Sequence, residues 1–274
     1  AQHNEYISAG LFPFRSEKLS LLGLKFFADG ALGSKGAALL DSYLGDPDNS
    51  GLDLIDTHSL FMKAKRGILS GFDIAVHAIG DRANRNVIEV FRQLRADSLV
   101  KNKGVLRLEH AQILTDQDAD LAQSVGAIMS IQPIHYSGDI CGMFQSRIKE
   151  EDYSKAYRWR SLSDMGFALV SGSDCPIESN SALMGIQALV TRKSNDGRYV
   201  IGADEALDVQ TAIDTYCKFP HIATGNSKDR GSIELYKCAD LVILNGKIEE
   251  QMPEEIASLG IVATFCAGEP VYVG

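Results

Sequence analysis

The sequence predicts an α/β protein built on a parallel sheet, and three observations predict it. Five short apolar runs of strand length are spread between residues 24 and 174, helical patterns lie between them, and each run ends on a polar or charged residue. Strands alternating with helices imply βαβ units, whose crossovers cover the sheet and leave its strands almost continuously apolar. The chain has 274 residues, enough for one core of this class and, if the sheet closes, for one (β/α)8 barrel of about 250 residues with little to spare.

The strands read in order as Leu24-Lys25-Phe26-Phe27-Ala28-Asp29, Asp73-Ile74-Ala75-Val76-His77, Val105-Leu106-Arg107-Leu108-Glu109-His110, Ala127-Ile128-Met129-Ser130-Ile131-Gln132 and Phe167 to Asp174. Each is rich in β-branched or large apolar residues. Between them, residues 81–94 predict a helix, with Ala83, Val87, Ile88, Phe91 and Leu94 on one face. Residues 115–125 begin with Thr-Asp-Gln-Asp, an N-cap signature, and stop before Gly126. Residues 157–165 stop before Gly166, and residues 208–218 carry Val209, Ala212, Ile213 and Tyr216 at helical spacing. Two long connections, about residues 34–57 and 133–156, are expected to act as lids.

After about residue 225 the pattern changes. Gly231–Glu234, Ala239–Leu244, Ile261–Phe265 and Pro270–Val273 read as short strands separated by turn signals, Asn245-Gly246 and Ala267-Gly268 among them. The expected organisation is therefore a barrel-type region over 1–226 and a small β segment over 227–274.

Composition narrows the function. Hydrophobic residues make up 45% and charged residues 23%, which suits a globular core, and the net charge is −9 with Lys and Arg scattered. A nucleic-acid groove or an anionic membrane surface wants the opposite sign, so neither is expected as a partner, and a small-molecule substrate is. No apolar run reaches the roughly 18 residues of a spanning helix, and the first residues lack the basic and apolar regions of a signal peptide. The five cysteines are far apart, odd in number and contain no Cys-x-x-Cys pair, which predicts free thiols and a cytoplasmic location.

The polar strand ends carry the chemistry. Lys25, His77, His110, Gln132 and Asp174 come from different strands, and a Lys, two His and an Asp could form a ligand set for a divalent metal. Each has a plainer reading: a strand-end His can be a satisfied polar group, and Lys25 can snorkel to Asp29. On spacing alone the residues allow a metal site and go no further.

The wording of the segments does go further. Phe27-Ala28-Asp29-Gly30-Ala31-Leu32-Gly33-Ser34, Val76-His77-Ala78-Ile79-Gly80-Asp81-Arg82-Ala83, Glu109-His110-Ala111-Gln112, Ser130-Ile131-Gln132-Pro133-Ile134-His135 and Gly172-Ser173-Asp174-Cys175-Pro176 resemble, in the same order, blocks of amidohydrolase family 3. Gly231-Ser232-Ile233-Glu234 with Lys237 and Ala239-Asp240-Leu241-Val242 is similar to that family's ending. The resemblance implies a (β/α)8 TIM-type barrel and a smaller β-sandwich built from sequence on both sides of it. It implies hydrolysis of an amide or cyclic-amide C–N bond by metal-activated water, with zinc the expected ion. On that analogy Lys25, carboxylated to a carbamate, His77, His110 and Asp174 are metal ligands, and Asp174 is also the catalytic base. Gln132 and His135 would bind substrate or its oxyanion. Asp29, Asp81 and Arg82 read as loop anchors and helix caps.

One signature is missing. The superfamily's His-x-His of the first barrel strand does not occur; the six histidines are His3, His58, His77, His110, His135 and His221. By family order the chain holds only barrel strands 4–8 and part of the sandwich, as the carboxyl-terminal portion of a protein roughly twice as long. The ligands present suit one ion rather than two. Open sheet edges predict self-association or a need for the missing N-terminal half. The alternative function is a catalytically inactive fragment or homologue that binds a ligand or partner.

Overall fold

The computed structural model describes residue 5 and residues 7–16 and 19–274. The chain forms two compact units, 1–130 with 143–158, and 131–142 with 159–274.

The first unit opens with a two-stranded antiparallel hairpin, β1 (Phe14–Arg15) and β2 (Ser20–Leu21). Its body is a run of parallel strands, β3 (Gly23–Phe27), β4 (Asp73–Ala78), β5 (Leu106–His110) and β6 (Ile128–Ile131), adjacent in that order. The crossovers carry α1 (Thr57–Leu69), α2 (Asp81–Ala96) and α3 (Asp116–Ser124). Leu24, Phe26, Ile74, Val76, Leu106 and Leu108 alternate onto one face and are all buried, with α1 packing on β3 and β4 and α2 on β4 and β5. The opposite face, by register, carries Lys25 beside Ala75 and Arg107, and Phe27 beside His77 and Glu109. Thr115 caps α3 as the sequence predicts, its side chain accepting from the Asp118 amide, and Asp56 caps α1 in the same way, accepting from the Ser59 amide. The start of α2 is capped differently. The Arg82 and Ala83 amides donate to Ala38 O, and Gly80 allows that approach, since a Cβ there would lie 2.0 Å from the same oxygen.

The second unit contains α4 (Pro133–Asp139), α5 (Trp159–Asp164), β7 (Leu169–Ser171), α6 (Ala182–Thr191), α7 (Val209–Cys217) and α8 (Phe219–Ala223). Just past β7, the Gly172 amide donates to Ile131 O within this unit. Arg192 is 1% exposed; its guanidinium lies 4.0 Å from the Tyr136 ring and 4.5 Å from that of Trp159, and it donates to Ile201 O and Gly202 O. The unit ends in a three-stranded antiparallel sheet of order β10-β9-β8, made of β8 (Leu241–Leu244), β9 (Ile261–Cys266) and β10 (Glu269–Val273).

The five expected parallel strands are β3 to β7, so the α/β class with a parallel five-stranded sheet is as predicted. Three expectations need correction. Gly231–Glu234 forms no strand: Gly231 sits at φ 94°, and the Ser232 hydroxyl, Glu234 and Lys237 bond to one another in a turn. The connection 34–57 is not a wholly exposed lid: Ala37, Ala38 and Tyr43 are buried and the Tyr43 hydroxyl donates to Ala37 O, while Leu40, Leu44, Leu52 and Leu54 are exposed. Helices α1, α4, α6 and α8 were not anticipated; α1 has a nearly neutral mean hydropathy that hides its four-residue apolar stripe, Leu60, Ala64, Gly67 and Ile68. No helix among the described residues is long and apolar enough to cross a membrane.

Candidate functional site

In a parallel sheet of this kind ligands collect beyond the carboxyl ends of the strands. In the first unit those ends bring together Phe27, His77 and His110. The Phe27 and His77 rings are 5.4 Å apart, and Lys25 Nζ lies 4.9 Å over the Phe27 ring. Lys25 is half-buried in mid-strand, one pleat before Phe27, rather than at the strand end as expected. Arg107 and Glu109 share this face and are bonded to one another through Arg107 Nε. They were not singled out from sequence, although their alternation with Leu106 and Leu108 was the available signal of a polar sheet face.

His110 reaches the same place by a backbone departure. It follows Glu109, so alternation alone would send its side chain to the face of Leu106 and Leu108. Instead His110 has φ 75° and Ala111 φ 45°, the left-handed region that non-glycine residues seldom enter. The His110 ring then lies edge-on to His77, 4.4 Å between centroids at 69°. Such conformations cost on the order of 1–3 kcal/mol each and persist where the surroundings enforce them, often at functional sites.

Asp29, just past β3, is fully buried. Its carboxylate accepts from the amides of Ala38 (2.9 Å), Ile79 (3.0 Å) and Gly80 (2.8 Å), tying the loops after β3 and β4 together. Asp81 does similar work, accepting from the Leu40 and Arg82 amides, and burial pushes its carboxyl pKa up. Both are the loop anchors that the sequence suggested. Burial, and next the charge of Asp29, push the Tyr43 phenol up as well. Asp29 Oδ1 is also 3.3 Å from His77 Nε2, a buried nitrogen that makes no hydrogen bond among the described residues.

The second unit holds the other candidates. Gln132 is buried as the N-cap residue of α4, its carbonyl accepting from the His135 amide, and His135 is half-buried on that helix. Asp174 is exposed, three residues beyond β7, at φ 54° in a turn closed by the Ile177 amide donating to Asp174 O. Of the aromatic residues near these segments, Tyr136 and Phe144 are wholly buried and serve packing; the Phe144 ring contacts those of Tyr153 and Tyr157.

Two neighbouring imidazoles fit part of the coordination shell of an ion that favours nitrogen donors, zinc among them. Among the described residues, no group of three or more His, Cys, Asp and Glu side chains is close enough to hold an ion by itself.

Comparison with known proteins gives the family. The amidohydrolase family's sequence profile matches residues 2–272. A Bacillus subtilis (strain 168) protein whose name places it among the amidohydrolases, YtcJ, is 32% identical over 91% of this chain and 46% of its own length. The N-substituted formamide deformylase of Arthrobacter pascens is 26% identical over 78% of this chain and 38% of its own. The crystal structure of an uncharacterized metal-dependent hydrolase from Pyrococcus horikoshii OT3 superposes with a TM-score of 0.75 at 26% identity, covering 86% of this chain and 47% of that one. The chain thus spans about half the length of the relatives it matches. A profile match over nearly every residue, with a relative of this identity, establishes that the chain belongs to the amidohydrolase family.

Proposed function

We propose that this chain is the carboxyl-terminal half of a metal-dependent hydrolase that cleaves an amide or cyclic-amide C–N bond with water, using a divalent ion, zinc. The observation that carries the reading is the His77–His110 pair, turned together by the left-handed backbone at His110 beyond the ends of parallel strands. The relatives' names and the resemblance of the motifs support it. Strands β3–β7 correspond in this reading to barrel strands 4–8, and residues 227–274 to part of a small sandwich.

His77 and His110 would hold the ion by their ring nitrogens. Lys25 would join them after its amine adds CO2 and releases a proton, which turns a cation into an anionic oxygen donor. The bound ion would polarise the scissile carbonyl and lower the pKa of a water from 15.7 toward about 7. Asp174 would bind metal and, as base, take the proton of the attacking water. Gln132 and His135 would orient the substrate and donate to the oxyanion. A cytoplasmic setting fits the free thiols, all five of which are unpaired.

The test is to express the chain together with the upstream half of its coding sequence and to assay amine release from a panel of N-acyl amines. Activity should vanish with a chelator, return with zinc, and fall at least about 10³-fold in His110→Ala, the order of a lost catalytic ligand. Activity indifferent to chelation would refute the proposal. The absence of His-x-His favours a second reading for the chain alone, a fragment or homologue that binds without turnover, with any ion at His77 and His110 and with self-association or the other half completing the open sheet.

A further inference from the structure

We infer that Asp29 has a second task besides anchoring two loops: it is the positioning residue that fixes the ring orientation and the tautomer of His77. The inference rests on the metal-site reading only for its purpose, since the contact itself lies within the first unit and involves no ligand.

Three observations support it. Asp29 is fully buried, and its carboxylate is held in place by the Ala38, Ile79 and Gly80 amides from two loops, so it has little freedom to move away from what it faces. Its Oδ1 faces His77 Nε2 at 3.3 Å. That nitrogen is buried and makes no hydrogen bond among the described residues, so the carboxylate is the acceptor within reach of an Nε2–H. Contacts of this kind often run long and poorly aligned in ligand-free sites and tighten when the site is filled. A neutral imidazole carries one N–H and one lone pair, and a carboxylate facing one nitrogen draws the proton to it. With the proton on Nε2, the lone pair is on Nδ1. Carboxylates that orient histidine ligands in this way commonly change metal affinity by 10–100-fold when removed.

The backbone amides give Asp29 a sufficient structural role, so loss of activity in a variant would prove nothing. A spectroscopic signature separates the two roles. In the whole chain labelled with 15N-histidine, long-range 1H–15N correlation at about pH 8.5, above the ordinary imidazole pKa of about 6.5, reads the tautomer of each ring. His77→Gln assigns the signal. The expected result is the Nε2–H tautomer for His77 in the metal-free chain, shifting to a mixture in Asp29→Asn while the other histidine signals stay in place. An Nδ1–H tautomer in the unaltered chain would overturn the inference, and so would an unchanged His77 signal in a folded Asp29→Asn. If Asp29→Asn does not fold, the tautomer of the unaltered chain decides. Zinc titration of the same samples separates this from the metal-site reading: affinity should fall 10–100-fold in Asp29→Asn. An Nε2–H ring in a chain that binds no zinc would sustain Asp29's role and sink the metal site.

Discussion

Two regions of this molecule are made of similar residues and lie in opposite environments. In β4, Asp-Ile-Ala-Val-His-Ala, five of six residues are buried; in β10, Glu-Pro-Val-Tyr-Val, all five are exposed. The connections explain the difference. A parallel strand must be followed by a crossover, and here the crossovers bring α1 and α2 onto the sheet. The antiparallel strands β9 and β10 are joined by the turn Ala267-Gly268, which has nothing with which to cover a face. Val242, Ile243, Val262, Val271, Tyr272 and Val273 therefore stay exposed. Apolar composition does not bury a strand; topology does.

Weakening each region in turn should give very different costs. Phe91, on α2, is wholly buried, and Phe91→Ala should cost about 3–5 kcal/mol in urea unfolding. Tyr272→Ala, on the exposed sheet, should change stability by no more than about 0.5 kcal/mol. Equal costs would mean that the C-terminal sheet is covered in solution.

A second contrast asks whether the second unit has a core of its own away from that sheet. A Cβ at Gly185 on α6 would lie 1.8 Å from the Tyr216 hydroxyl on α7, so Gly185→Ala should cost about 1–3 kcal/mol. Adding Tyr216→Phe should recover only part of the loss, because it removes the clashing oxygen but leaves the ring carbon Cζ 2.6 Å from that Cβ; no recovery at all would show that the two helices are not packed as described. The Tyr216 hydroxyl is itself buried with no hydrogen bond among the described residues, and burial pushes its pKa up. Tyr216→Phe alone should leave stability unchanged or raise it by about 1 kcal/mol.

The smallest effect belongs to the solvent side of α2. Arg92 and then Gln93 donate to Glu89 and lower its pKa to about 2 from an ordinary 4.5. A depressed carboxyl pKa contributes stability above the unfolded value and loses it as pH falls toward the folded one, here between about 4.5 and 2. Both side chains are more than a third exposed, so screening reduces the contribution to on the order of 0.3 kcal/mol. Glu89→Gln should lower stability by that amount above about pH 5, flatten the acid limb accordingly, and match the unaltered chain near pH 2; an equal loss at pH 2 and at pH 7 would contradict the assignment.

The parallel strands were legible because each is a nearly continuous apolar run closed by a polar residue, and α2 and α3 because of their periodicity and capping. Helices α4 and α6 were not. The first starts at Pro133 directly after a strand, and the second, Ala182–Thr191, is apolar almost all round and shows little periodicity. For the site, the motifs point to His77 and His110, but not to how they meet. The turn of the backbone at His110 and the contact of Asp29 with His77 arise from tertiary packing, which no spacing rule encodes. Asp29 looked like an anchor from sequence and is one; its distance from His77 is what only the structure adds.

The proposal that His77 and His110 hold metal in this chain can be checked by counting ions. Elemental analysis of the zinc-loaded chain, with an anomalous difference map from its crystals, should give one ion per chain beside His77 and His110, lost when both are replaced by alanine. Two fully occupied ions in the isolated chain, or one that survives the double replacement, would contradict it.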